Sequence, residues 1–289
     1  MTRKVLFIIN PNAGKKRSSE IVRLIRQSFS ENYPYEISVW EDKDNFNPVK
    51  EKLFSGGFTV AVAVGGDGTV NQVAKTIVNT EIALGIIPVG SGNGLARTLG
   101  VSMKAEEAIK QIESGRAYKI DSGEINGIPF FCTSGLGFDA RIGQLFASSK
   151  KRGLSSYTKI VLKELFNYKS QKYIFAMNGE IFVRKAFLVT VANAGQYGND
   201  FYIAPEAKVN DGIFHVAILK PFSFFSVFGV FFKIIRKKAH ESKYIETFTT
   251  RNLKITRVEK ASVHFDGEPK MLEEEINFSI FPDSLNIVS

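Results

Sequence analysis

A strand-like run followed directly by a glycine-rich loop occurs twice in the sequence, and this repeated unit restricts the folds that the chain can adopt. Residues 59–64, TVAVAV, lead into GGDGTV at 65–70, and residues 83–89, ALGIIPV, lead into GSGNGLAR at 90–97. Runs rich in β-branched residues are typical of strands that are buried on both faces of a parallel sheet. The two runs therefore predict neighbouring parallel strands whose loops lie at one edge of the sheet.

Strand and helix patterns alternate through the first part of the chain, as they do in doubly wound folds. Further strands are predicted at 5–9 and 35–40, and helices at 19–29, 47–54, 70–78 and 95–99. Asn47 is expected to cap its helix, with Pro48 at the first helical position. We predict a parallel, Rossmann-like α/β domain over residues 1–121.

After about Asp121 the pattern changes to that of hairpins. Asn126-Gly127 and Asn178-Gly179 are each flanked by strand-like runs, which is the strongest short-range hairpin signal. Helical patterns interrupt the strands at 155–168 and 222–239. Residues 122–289 are therefore predicted to form a mainly antiparallel β-sandwich domain.

Charge and cysteine content narrow the class of protein. The excess of 38 lysines and arginines over 29 acids gives a net charge of +9, which attracts nucleotides, nucleic acid or an anionic membrane. The single Cys132 excludes an intramolecular disulfide, and the N-terminal sequence has no signal-peptide cleavage region. Both observations favour the cytoplasm. The apolar run at 222–235 is too short to span a bilayer, which needs about 20 apolar residues.

The first glycine loop, at 65–70, is predicted at the sheet edge where open α/β folds bind ligands. Gly65, Gly66 and Gly68 would let backbone amides approach phosphate oxygens, and the following helix N-terminus favours anions. Asp67 would repel a phosphate unless it holds Mg²⁺ or accepts a proton from an attacking hydroxyl. The loop thus indicates phosphoryl transfer, while a tight turn with a capping aspartate is the alternative.

Two more loops are predicted at the same edge. GSGNGLAR adds the side-chain donors of Ser91 and Asn93 to its glycine amides, and NPNAGKK at 10–16 adds paired lysines. Neither loop matches the dinucleotide fingerprint or the G-x-x-x-x-G-K-[ST] phosphate loop. Together the three loops predict a cradle for a polyphosphate.

The second half of the chain contains acidic residues whose simplest interpretation is a structural role in turns, helix caps or ion pairs. The tetrad Asp266-Gly267-Glu268-Pro269 and the segment KVNDGI at 208–213 have turn sequences, and Asp139 is suited to a helix cap or a surface ion pair. The three histidines and the single cysteine lack metal-ligand spacing, so zinc or Cys-His chemistry is not expected. Only the fold can bring these acids into one site.

The motifs NPNAGK, GGDGTV and GSGNGLAR, in this order and spacing, resemble those of the diacylglycerol kinase and sphingosine kinase catalytic family, which includes bacterial lipid kinases. The resemblance covers nearly the whole chain, because the later NDG and DGE sequences fall where the family has its own. It implies an NAD-kinase-like α/β domain, a β-sandwich domain and ATP bound in the cleft between them.

The resemblance also implies roles for individual residues. Glu268 would be the catalytic base with Asp266 beside it, and Asp67 would lie near the phosphates and the catalytic Mg²⁺. Asp211, with the backbone carbonyls of Lys208 and Ile213, would hold a structural Mg²⁺, and Asp139 would lie near the acceptor lipid. The residues that would contact the nucleotide are Asn10, Pro11, Gly14, Lys15, Gly65, Gly66, Asp67, Gly68, Thr69, Ser91, Gly92 and Asn93.

The expected reaction is transfer of the ATP γ-phosphoryl group to a lipid hydroxyl, with diacylglycerol as the first acceptor and a sphingoid base as the alternative. NAD kinase shares a GGDGT-type loop but lacks the GSGN loop. A nucleotide-binding regulator without turnover is disfavoured by the intact Asp67 and Glu268.

The predicted partner is a lipid substrate at a membrane surface. The 222–235 segment and the basic residues after it either dock on anionic lipid or form a buried helix. Nucleic acid is not expected, because the chain lacks a basic stripe with interleaved aromatic residues. Edge strands of the second domain offer a route to a homodimer.

Overall fold

The computed structural model describes residues 3–11, 18–30, 32–42, 45–149, 154–197 and 201–289. The chain divides into two compact units, the first of Met1–Ser122 with Pro282–Ser289 and the second of Gly123–Phe281. The sequence prediction placed the domain boundary at residue 121 and assigned all later residues to the second domain. The last eight residues instead belong to the first unit, because Asn286 and Ile287 pair with Ala83 and Leu84.

The first unit is a parallel sheet with helices between its strands. Its strand order is β2-β1-β3-β4, and all of these pairs are parallel. Its elements are β1 (Val5–Ile9), α1 (Ser18–Ser28), β2 (Tyr35–Val39), α2 (Asn47–Ser55), β3 (Val60–Gly65), α3 (Asp67–Ile77), β4 (Ala83–Pro88), α4 (Gly94–Thr98) and α5 (Ala105–Ser114), followed by β5 (Ala117–Ile125).

Strands β1, β3 and β4 are buried along their whole length, which explains their continuous apolar sequences. All four predicted strands are confirmed to within one residue. Helix α3, however, begins at Asp67 rather than at residue 70, because the Gly66 carbonyl already accepts the Thr69 amide at 3.0 Å. Helix α2 is preceded by Phe46 as its N-cap, so the prediction that Asn47 caps it was wrong by one position.

The second unit consists mainly of antiparallel strands. One sheet has the order β12-β11-β10-β7-β14-β15, and the other continues from β16 through β13 and β8 to β9. Its elements are β6 (Ile128–Phe130), β7 (Thr133–Gly137), α6 (Phe138–Ala147), α7 (Leu154–Asn167), β8 (Gln171–Met177), β9 (Glu180–Ala186), β10 (Leu188–Ala192), β11 (Phe214–Leu219), α8 (Val227–Ile235), β12 (Ile245–Thr250), β13 (Asn252–Thr256), β14 (Ala261–Phe265), β15 (Glu268–Leu272) and the first part of β16 (Glu275–Val288), which ends in the first unit.

Side chains from both sheets share one core, which confirms the β-sandwich. Phe175 of β8 and Phe278 of β16 are packed in the same buried cluster as Leu136 of β7 and Val216 of β11. The ring of Phe130 stacks on that of another core phenylalanine, with 5.7 Å between the ring centroids. Burial of these large aromatic side chains stabilises the unit.

Both predicted Asn-Gly hairpins are present. Asn126-Gly127 joins β5 to β6 and Asn178-Gly179 joins β8 to β9, with positive φ at both turn residues as a type I′ turn requires. The helical patterns at 155–168 and 222–239 correspond to α7 and α8. Helix α6 was missed, because it begins directly after a strand and carries Gly143 in its middle, which weakens the helical pattern.

Candidate active site

The loops that follow β1 and β3 are joined by a side-chain contact. Asn10 Nδ2 donates to Thr69 Oγ1 at 3.0 Å, and the Asn10 backbone amide donates to the Val64 carbonyl at 3.2 Å. Because β1 and β3 are parallel neighbours, their carboxyl ends share an edge of the sheet. Gly14 and Lys15, predicted to contact a nucleotide, lie outside the described residues, and Pro11 makes no hydrogen bond to the part of the chain that the structure describes.

The two glycine-rich loops approach each other closely enough to require glycine. A Cβ atom added to Gly90 would lie 2.6 Å from the Gly66 Cα, and one added to Gly92 would lie 2.6 Å from Asp67 Oδ2. Contacts this short do not occur in folded proteins, so neither position tolerates a side chain without movement of the facing loop. The glycines thus allow two backbones to meet at the sheet edge.

Asp67 connects these two loops through hydrogen bonds. Its Oδ2 accepts the Asn93 amide at 2.9 Å and its Oδ1 accepts the Gly94 amide at 2.7 Å. The carboxylate also lies in the first turn of α3, where negative charge is favourable. Each oxygen keeps a second lone pair, so the half-buried carboxylate can still bind a cation or a water molecule.

Asn93 holds the second loop in an unusual conformation. Its backbone is left-handed, with φ 56° and ψ 46°, and its Nδ2 donates to the Gly90 carbonyl at 2.9 Å. Its Oδ1 is buried, and no donor in the described part of the chain reaches it. A buried acceptor without a partner is costly, so this atom suits a donor from a ligand or a bound water molecule.

The structure therefore brings together the nucleotide residues predicted on the β1, β3 and β4 loops, within the described ranges. Thr69 differs from the expectation in its surroundings, because it is only 2% exposed and its hydroxyl accepts from Asn10. Thr69 therefore links the loops that follow β1 and β3. Ser91 and Gly92 are more accessible than the buried Thr69 and remain candidates for direct contact.

In the second unit, Asp139 is part of a network that the sequence did not reveal. The Tyr197 hydroxyl donates to Asp139 Oδ2 at 3.0 Å, and His264 Nε2 lies 3.2 Å from the same oxygen. Thr190 makes a short contact with the Tyr197 hydroxyl. A Cβ at Gly135 would overlap both Asp139 and His264, so that glycine is needed for the network.

His264 links this network to the DGE turn. The Gly267 amide donates to His264 Nδ1 at 3.4 Å, which assigns the proton to Nε2 and makes Nε2 the donor to Asp139. His264 is almost fully buried. Tyr197 and His264 could not be identified from the sequence, because their common partner Asp139 lies 58 and 125 residues away from them.

Asp266 has a structural role in the turn that joins β14 to β15. It adopts a left-handed conformation with φ 50°. Its Oδ2 accepts the Phe131 amide at 2.9 Å, and its Oδ1 accepts the amides of Cys132 and Thr133 at 2.7 and 3.0 Å. Three backbone donors occupy lone pairs of this carboxylate, which therefore holds the turn in place. Glu268, which is exposed at the start of β15, is therefore the better candidate base.

The predicted metal residue Asp211 is bonded within its own turn. Its Oδ1 accepts the Ile213 amide at 3.2 Å, and its Oδ2 lies 3.3 Å from His215 Nε2. Over the described ranges, no group of three or more His, Cys, Asp or Glu side chains is arranged to hold a metal. A site made of one carboxylate and the carbonyls of Lys208 and Ile213 stays a prediction.

The family models match both halves of the chain. Residues 4–125 match the diacylglycerol kinase catalytic domain, and residues 133–289 match the YegS C-terminal NAD kinase beta sandwich-like domain. The second match alone covers more than half of the chain. The NAD-kinase-like architecture expected from the resemblance is thereby confirmed.

Individual proteins agree with the family models. A Cronobacter sakazakii protein named "Probable lipid kinase YegS-like" is 29% identical over 267 residues, which are 89% of this chain and 87% of that protein. A Bacillus subtilis diacylglycerol kinase is 26% identical over 274 residues, 92% of this chain and 90% of that protein. The crystal structure of a diacylglycerol kinase from Bacillus anthracis, 20% identical, has the same fold with a TM-score of 0.73, covering 99% of this chain and 96% of that one.

These matches agree with the joined glycine loops of the first unit and the antiparallel sandwich of the second. The chain belongs to the YegS-like and diacylglycerol kinase family of lipid kinases, which are phosphotransferases that use ATP.

Proposed function

We propose that the protein transfers the γ-phosphoryl group of ATP to the free hydroxyl of diacylglycerol. The observation that carries the proposal is the pair of hydrogen bonds from the Asn93 and Gly94 amides to Asp67, which joins the two glycine loops at the start of α3. A similarity to proteins named diacylglycerol kinase supports this choice of acceptor.

In this proposal the first unit binds the ATP phosphates. The first amides of a helix have no acceptor within the helix, so the Gly68 amide in the first turn of α3 is available to a phosphate oxygen. The accessible Ser91 and Gly92 supply further donors from the neighbouring loop. Asn93 Oδ1, which no donor among the described residues reaches, adds an acceptor for a ribose hydroxyl or a water molecule.

Mg²⁺ is the metal that this arrangement suits. Hard oxygen ligands are what Mg²⁺ requires, and the Asp67 carboxylate, whose oxygens each use one lone pair on an amide, provides them. When bound, the ion would offset the negative charge of the phosphates. Asp67 has a further task, which is to hold the loops that bind those phosphates.

The second unit supplies the groups for the acceptor. Asp139, held by Tyr197 and His264, would accept a hydrogen bond from the lipid head. Glu268 would take the proton of the reacting hydroxyl as its oxygen bonds to the γ-phosphorus and the bond to the ADP oxygen breaks. The products are phosphatidic acid, ADP and one proton, which Glu268 then returns to solvent.

The test is phosphate transfer from γ-labelled ATP with Mg²⁺ to diacylglycerol, monoacylglycerol and a sphingoid base in mixed micelles, with NAD as a further acceptor. We expect label in diacylglycerol, and its loss in Glu268→Gln. Glu259→Gln, which removes an exposed carboxylate of the same unit, is the matched control. Label in the sphingoid base or in NAD would reject diacylglycerol as the acceptor, and label in no acceptor would reject the proposal.

A further inference from the structure

Helix α8 has two apolar faces, of which only one is buried. Val230 and Ile234 are each 6% exposed and pack into a core cluster of the second unit. The other face has its apolar residues at positions i, i+3, i+4 and i+7, which is the pattern of a helix that covers a core. These residues, all exposed, are Phe228 (74%), Phe231 (50%), Phe232 (53%) and Ile235 (44%).

The apolar face continues beyond the helix. Phe225, in the turn before α8, is 90% exposed. Single exposed apolar residues are common on proteins, but a contiguous group of large ones marks an interaction surface. The outer face of α8, defined as Phe225, Phe228, Phe231, Phe232 and Ile235, is such a group.

The segment that carries the outer face is rich in cations. Residues 222–243 contain five lysines and arginines and one glutamate, a net charge of +4 from these residues. The Arg236 guanidinium lies 3.9 Å from the centre of the Phe232 ring, and Lys237 Nζ lies 4.2 Å from the centre of the Tyr202 ring. Long cationic side chains of this kind can place their charge at a polar surface while their stems cover apolar area.

Lys237 stands at an unusual position for a lysine. It follows the C-cap residue of α8 and has φ 60°, while the Lys238 amide donates to the Lys233 carbonyl at 2.8 Å. Glycine is the usual residue at this left-handed position, because a side chain there is disfavoured. The sequence thus keeps a cation directly after α8 at a cost to the backbone.

We propose that the outer face of α8 docks on an anionic phospholipid bilayer, with the helix lying in the plane of the interface. An apolar face with a basic rim matches the apolar layer and the negative headgroups of such a surface. With nine residues, α8 is too short to cross a bilayer. A second copy of the chain fits less well, since pairing two outer faces would bring their cations together. The inference rests on these side chains and not on the identity of the acceptor.

The test is sedimentation with vesicles in the absence of ATP and diacylglycerol. Phosphatidylcholine vesicles are compared with vesicles that also contain phosphatidylglycerol. We expect the wild type to bind the anionic vesicles at least about tenfold more tightly, and added salt to reduce the difference. The F228S/F232S variant should lose about tenfold or more of the affinity for anionic vesicles, because two large apolar side chains are removed.

A matched control removes exposed apolar side chains elsewhere. Ile181 and Val183 on β9 are 77% and 54% exposed, and I181S/V183S should bind anionic vesicles within about twofold of the wild type. A second variant, R236Q/K237G, should remove the preference for anionic vesicles while retaining the apolar face. Circular dichroism checks that each variant is folded.

Three outcomes would overturn the inference. The first is anionic-vesicle binding by F228S/F232S equal to that of the wild type, and the second is an equal loss of binding in I181S/V183S. The third is a concentration-dependent dimer in analytical ultracentrifugation that only F228S/F232S disperses, which would assign the outer face to a second copy. Turnover of a short-chain, water-soluble diacylglycerol should be unchanged in F228S/F232S, so a failure of docking is distinguishable from a failure of the proposed reaction.

Discussion

Asp67→Asn is the change that separates the two tasks assigned to this residue. The carboxylate accepts one backbone amide on each oxygen, at 2.9 and 2.7 Å. Asparagine has a single acceptor oxygen, so one amide of the GSGN loop would face the new NH₂ group instead. The variant therefore loses one charge-assisted hydrogen bond and weakens the other.

The expected cost in stability follows from these contacts. A hydrogen bond to a charged group contributes about 1.5–3 kcal/mol and a neutral one about 0.5–1.5 kcal/mol. Because Asp67 is half-buried, water can solvate part of the orphaned amide, and we expect the first unit to be destabilised by about 2 kcal/mol. For a unit of this size the Tm of its transition should fall by about 8 °C.

The assay is differential scanning calorimetry of the full chain, with and without ATP and Mg²⁺, beside steady-state kinetics. ATP should raise the Tm of the transition that belongs to the first unit. We expect kcat to fall by about a hundredfold or more even at temperatures where the variant is folded. Glu81→Gln, an exposed charge change in the same unit, should alter neither quantity.

Each of the two tasks of Asp67 can be disproved by its own result. An unchanged Tm in Asp67→Asn would show that the carboxylate does not hold the loops together. A kcat close to that of the wild type in the folded variant would show that Asp67 takes no part in phosphoryl transfer.

Three further predictions concern the loops and the acceptor network. Gly90→Ala should destabilise the first unit by about 2 kcal/mol and weaken ATP binding in calorimetric titration, because its Cβ would lie 2.6 Å from the Gly66 Cα. The control is Gly229→Ala, which should be neutral or stabilising because its Cβ meets nothing within 4 Å. An equal loss of stability in both variants would contradict the crowding argument. Asp266→Asn should lower the stability of the second unit by about 1–3 kcal/mol in denaturation, because it weakens the bonds to three backbone amides. Glu268→Gln should leave that stability unchanged and lower kcat by about a hundredfold. The opposite pattern would show that Asp266 is the base and that Glu268 holds the turn. Tyr197→Phe should raise KM for the acceptor and leave KM for ATP unchanged, because its hydroxyl donates to Asp139; an equal change in both constants would argue against a positioning role.

Much of the secondary structure follows from local sequence. The runs TVAVAV and ALGIIPV are apolar throughout, and only a strand covered on both faces accommodates them. Asn126-Gly127 and Asn178-Gly179 predict their hairpins because both residues tolerate positive φ. Helix α6 was not predicted, because Gly143 and the strand directly before it weaken the helical pattern of its sequence.

The candidate site was only partly predictable. The β1, β3 and β4 loops were identified because each directly follows an apolar strand, and parallel neighbours end at one edge. The roles of individual residues in these loops were not predictable. The Asp67 carboxylate and the Asn93 amide are 26 residues apart, and no local pattern shows that they are in contact. The same holds for Asp266, whose three backbone partners lie more than 130 residues before it.

Local sequence patterns were thus enough to predict the first four strands, the two Asn-Gly hairpins, the glycine loops and the family to which the chain belongs. Four features became visible only in the folded chain: Asp67 joins two loops, Asp266 holds a turn, His264 and Tyr197 surround Asp139, and α8 buries one apolar face while exposing another. The physical reason is that backbone conformation and burial of apolar runs depend on neighbouring residues, whereas a carboxylate's partners depend on which distant amides and side chains the packed sheets bring to it.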